Sequence, residues 1–117
     1  MPSNVVDMGV VGGTQTLVTE RLISKCKPSA IFIDNVGAAA NASLVFNDVF
    51  TPSVTSAVPV PVLTTVPRLR INVAFGTCVS SMEDMLKDTE FIGLVQVVVN
   101  GGVALANCFV TFVYSLN

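Results

Sequence analysis

The chain has 117 residues; 51% are hydrophobic, only 12% are charged, and histidine is absent. That length makes one domain able to bury its own core, and the composition excludes a disordered chain. With a formal net charge of -2 and six scattered cations, it cannot neutralise many phosphates, so no direct nucleic-acid contact is expected.

Valine occurs 22 times and is densest from Val54 onward. β-branched residues lose rotamer freedom in helices and fit a pleated, half-buried surface. No long segment carries the i, i+3, i+4 rhythm of an amphipathic helix. The elements expected are therefore strands. Residues 1–13 hold the apolar pairs Val5-Val6 and Val10-Val11 interrupted by Gly9, Gly12 and Gly13, and read as an N-terminal arm that orders against a neighbour. Residues 14–117 read as the β domain.

Thr14 to Ile23 predicts a first strand. A break at Lys25–Pro28 precedes a short strand, Ala30–Ile33, that ends at Asp34-Asn35. Ala42–Phe50 follows, with Leu44, Phe46 and Asp48 on one side and Val45, Asn47 and Val49 on the other. Pro52 to Pro67 contains four of the six prolines among valines. Proline removes ladder donors, so this segment is no central strand; its apolar side chains suit an extended loop laid across a surface. Arg68–Phe75 alternates most clearly, with Leu69, Ile71, Val73 and Phe75 on one face and Arg68, Arg70, Asn72 and Ala74 on the other. Ser80–Glu90 is the charged block, and Ser80 or Ser81 is placed to cap one or two helical turns. Phe91–Val99 is apolar on both faces, as a strand in mid-sheet or at a subunit interface is. Asn100-Gly101-Gly102 predicts a hairpin turn that returns Val103–Leu116 as the partner of Phe91–Val99. Together these elements describe an all-β chain: a single-domain antiparallel β-sandwich, Greek-key or jelly-roll-like, with at most one short helix.

The sequence supplies little for catalysis. A serine or cysteine nucleophile needs an adjacent base, and the usual one, histidine, is missing. The carboxylates Glu83, Asp84, Asp88 and Glu90 share one exposed block instead of the distinct environments that acid–base pairs need. They also lack the spacing of a calcium loop. Gly9–Thr14 has no strand before it and no lysine, so it is no phosphate loop. Cys26, Cys78 and Cys108 are too widely spaced for a metal knuckle and odd in number, which suits reduced structural thiols. No enzyme activity, cofactor or metal is therefore expected.

No window of about 20 apolar residues exists to span a membrane, and Met1–Asn4 lacks the basic start of a secretory signal. Surplus apolar surface then points to oligomerisation. The small, valine-rich, charge-poor β character is similar in a general way to virion structural and capsid-decorating proteins. The expectation is a non-enzymatic structural subunit that self-assembles through apolar β surfaces. It would be a capsid, cement or tail component of a virion, or a similar filament or cage subunit, in an extracellular or cytoplasmic assembly. Its partners would be further copies of itself and another structural protein. The interface is expected at Val58, Val60, Val62 and Leu63, with Arg68 and Arg70 either pairing with the acidic block of a neighbour or simply solvated. The competing reading is a small-ligand-binding sandwich, with Phe32, Phe46, Phe50 and Phe75 as pocket walls.

Overall fold

The computed structural model describes residues 3–19, 25–50, 64–81 and 86–116. Eight strands follow in chain order: β1 Ser3–Asp7, β2 Thr14–Val18, β3 Cys26–Asp34, β4 Ala42–Phe50, β5 Thr64–Val73, β6 Cys78–Ser81, β7 Leu94–Val99 and β8 Phe109–Leu116. They form two four-stranded sheets, ordered β1-β8-β3-β6 and β2-β7-β4-β5, and every pairing is antiparallel. The pairs β4·β5, β3·β6, β2·β7 and β1·β8 are nested one inside the next. A single long hairpin wrapped into two layers gives this order, which is the jelly roll. The sandwich expected from composition is therefore the fold.

The inner faces supply the core. Leu44 and Phe46 of β4, Val95, Val97 and Val99 of β7, Ile31 and Ile33 of β3, and Val110 and Phe112 of β8 are all buried. Phe112 ties the layers together: its ring lies 6.3 Å from that of Phe46, 6.1 Å edge-on from Phe91 and 5.6 Å from Tyr114. Aromatic pairs in these geometries add to simple area burial. Leu69 and Ile71 of β5 pack against this core, with Val73 buried beside them, as the alternation of that segment requires. Phe75 departs from the pattern. It lies beyond the end of β5 and is 61% exposed.

Three expectations change. The described part of the 1–13 segment is no separate arm: β1 pairs with β8 from Ser3↔Val113 to Asp7↔Phe109, and Met8 is fully buried. Pro28 does not end a strand; β3 runs through it with a register shift between Pro28 and Ala30. Among the described residues Pro28 pairs only with Tyr114 of β8, while the other side of β3 is taken by β6 at Ile31–Asp34 and by Phe91 at Cys26; the register shift beside it is a place where a strand tolerates proline. Finally, β7 and β8 are not hairpin partners. They lie in different sheets, and the Asn100-Gly101-Gly102 turn carries the chain from one layer to the other.

The turn itself has the expected backbone. Asn100 and Gly101 have φ of 49° and 67°, and the Gly102 N–H donates to the Val99 carbonyl at 2.9 Å. Ser80 and Ser81, expected as helix caps, instead end the β6 strand. Of the charged block, residues 82–85 lie outside the described residues, while Leu86 is buried at 1% exposure. Among the described residues no helix is long and apolar enough to cross a membrane.

Candidate functional site

Val58, Val60, Val62 and Leu63 lie outside the described residues. The two arginines expected to act with them have separate fates. Between Phe46 and Asn47 the β4·β5 register slips, so that Phe46 faces Leu69 and Asn47 faces Pro67. Arg68 is the extra residue of this bulge, which turns a side chain away from the regular alternation. Its Nε and Nη2 donate to Asp48 Oδ2 at 3.1 and 2.9 Å. Arg68 is thus committed within its own chain, whereas Arg70 stays on the outer face opposite Val45.

Asp48 is fully buried on the inward side of β4, as the alternation of that strand implies. Besides Arg68 it accepts the Ile92 N–H on Oδ2 at 3.0 Å and the Gly93 N–H on Oδ1 at 2.7 Å. A buried carboxylate is tolerable only when it is paired and hydrogen-bonded in this way. The carboxylate holds the chain entering β7 against β4, which is a structural task.

The four phenylalanines proposed as pocket walls do not converge. Phe46 is in the core, Phe32 is 40% exposed on the opposite sheet, and Phe75 projects from a loop; Phe50 ends β4 and is half-buried. Phe32 instead borders an open groove of about 420 Å³ shared with Asp34, Cys78 and Thr111.

That groove belongs to a larger surface, the outer face of the β1-β8-β3-β6 sheet. Registers place Val5, Thr111, Phe32 and Ser80 in one row, and Asp7, Phe109, Asp34 and Cys78 in the next. Val5 is 61% exposed and Phe109 39%, so apolar side chains from three adjacent strands lie open together. The sequence shows Phe109 and Thr111 on one face of β8, but only the register brings Val5 and Phe32 to them.

The outer face of the other sheet is nearly uncharged. Its rows run Arg70, Val45, Val98 and Thr14, then Pro67, Asn47, Gln96 and Thr16. Among the described residues, no group of three or more carboxylates and cysteines is placed to hold a metal. No disulfide joins the three cysteines: Cys26 and Cys108 are buried and Cys78 is exposed. Burial foremost, with the Asp7 and Asp34 carboxylates adding to it, pushes the Cys108 thiol from 9.0 up to about 11, which keeps it protonated and unreactive at neutral pH. The chain matches no protein-family model, no curated protein and no solved structure.

Proposed function

We propose that this protein is a non-enzymatic structural subunit that assembles with copies of itself and with another structural protein. A virion component (capsid, cement or tail) is the role it suits best, with a filament or cage subunit as the cellular equivalent. One observation carries the reading: Val5, Phe32 and Phe109 stand exposed on three adjacent strands of one outer sheet face, in a chain with unusually few charges. Contiguous apolar surface on a soluble domain marks an interaction site. The jelly roll is a fold that both capsid and lectin domains use. Here the open face sets apolar side chains among only two carboxylates, which favours docking of another protein surface over recognition of a polar sugar.

The test is the mass of the purified protein in solution. Multi-angle light scattering over a micromolar concentration series is expected to show a closed oligomer or a growing polymer. A monomer that persists across the series would overturn the proposal.

A further inference from the structure

We infer that Phe109, with Asp7 and Asp34 on either side, receives Arg70 of a second copy, so that the β1-β8-β3-β6 face of one subunit docks on the β2-β7-β4-β5 face of the next. This rests on the assembly reading above and names the surfaces it would use.

The receptor follows from register. Asp7 and Asp34 both pair with Phe109, one through β1 and the other through β3. Directly paired residues share a face, and neighbouring strands lie about 4.8 Å apart. Two carboxylates therefore flank one open aromatic ring, about 10 Å from each other. Each already accepts a local backbone N–H on Oδ1, from Gly9 at 2.9 Å and from Val36 at 3.1 Å, which fixes its position and leaves Oδ2 for a partner. An aromatic ring attracts a cation over its face, and carboxylates beside it accept the fork of a guanidinium. The chemistry selects an arginine.

The described residues offer one. Of the arginines among the described residues, Arg68 is held by Asp48, while Arg70 is exposed on the other outer face beside Val45 and Val98. Docking this row on the same row of a second copy would set Asp7 and Asp34 against two further carboxylates, an arrangement that like charges oppose. Docking it on the opposite face sets acid against arginine and apolar Val5 and Phe32 against Val45 and Val98. The cation that the acidic face itself carries, Lys27, lies beside Ser115, six residues and about 20 Å along β8 from Phe109. A contact between two different faces is heterologous, so it closes into a ring or propagates as a stack.

Two neutral variants of the full chain test this. Arg70→Met keeps the acidic face and loses the cation; Asp7→Asn with Asp34→Asn keeps the cation and loses the acids. All three positions are exposed, so both proteins are expected to fold with unchanged circular dichroism. Each alone is expected to assemble about tenfold or more weakly than wild type. Mixed together, they retain one intact contact per pair and are expected to give 1:1 heterodimers that grow no further. If wild type assembles and both variants assemble as well as it does, these faces are not the interface, although the assembly reading stands. Assembly weakened in each variant, but with no heterodimer on mixing, would overturn the heterologous arrangement. A monomeric wild type would overturn both the assembly reading and this one.

Discussion

Arg68 reaches Asp48 because the β5 strand holds one residue more than β4 requires. The bulge places the guanidinium within 2.9 Å of a carboxylate that has no exposure to solvent. Asp48 also accepts the N–H groups of Ile92 and Gly93, so one side chain ties β4, β5 and the approach to β7. Replacing it with alanine orphans two backbone donors and leaves a half-buried arginine without its partner. Asp48→Ala is expected to cost about 3–5 kcal/mol, the range found when one member of a buried pair is removed. Arg68→Met should cost less, because Asp48 keeps the Ile92 and Gly93 N–H groups as donors and no backbone donor is orphaned. Urea unfolding of the two variants checks the order. An Arg68→Met loss equal to that of Asp48→Ala would show that the ion pair, not the pair of backbone donors, dominates.

Gly93 is the second member of that corner. A Cβ added there would run into the Val49 carbonyl oxygen and meet Phe50 Cβ at 2.8 Å. Backbone cannot yield as a flexible side chain does, so Gly93→Ala must pull the entry of β7 away from β4 and stretch the bond to Asp48. The expected loss is at least about 1–3 kcal/mol, as for overpacked cores. Thermal denaturation compared with Gly37→Ala, where the nearest atom is Asn107 Cβ at 3.5 Å, separates steric clash from the general effect of removing a glycine. Equal melting points for the two variants would refute the close approach.

The turn after β7 gives a different kind of prediction. Gly101 has φ of 67° and nothing within 4 Å of where a Cβ would sit, so only the backbone conformation resists substitution. Gly101→Val is expected to cost about 1–2 kcal/mol. Asparagine visits this region readily, as Asn100 already does at φ 49°, so Gly101→Asn should be nearly neutral. Chemical denaturation of both variants checks the contrast; equal destabilisation would mean that something other than φ limits the position.

What the sequence made legible followed short-range rules. Alternation placed Leu44, Phe46 and Asp48 inward on β4 and Leu69, Ile71 and Val73 inward on β5, and the apolar run before Asn100 became the central strand β7. Pairing between strands was not legible. Asn100-Gly101-Gly102 reads the same whether the chain turns back within one sheet or crosses to the other, because both need positive φ. Pro28 looked like a break since no local signal reveals the register shift with which β3 runs through it. The acidic–aromatic row of Asp7, Phe109 and Asp34 joins residues from the two ends and the first third of the chain, so no window of sequence contains it. Asp48 was visible on the same side of its strand as Leu44 and Phe46, yet its partner depended on a bulge that shifts Arg68 out of the alternation it shows in sequence.

The same row of carboxylates bears on the Cys108 thiol just before β8. Burial, helped by Asp7 and Asp34, lifts its pKa from 9.0 to about 11. In the unfolded chain the thiol loses its proton near the ordinary value, whereas in the folded protein it holds the proton to higher pH. Between those two values the unfolded state binds fewer protons than the native state, so stability falls as pH rises. The contribution is complete below about pH 9 and is lost as pH passes through about 11. Wild type is therefore expected to melt at a lower temperature at pH 10.5 than at pH 8. Cys108→Ala removes the titrating group at the cost of a small cavity, so it should lower the melting temperature at pH 8 and narrow the difference between the two pH values. The informative quantity is that narrowing, read from paired melts. An unchanged pH difference in the variant would show that Cys108 does not carry the alkaline loss.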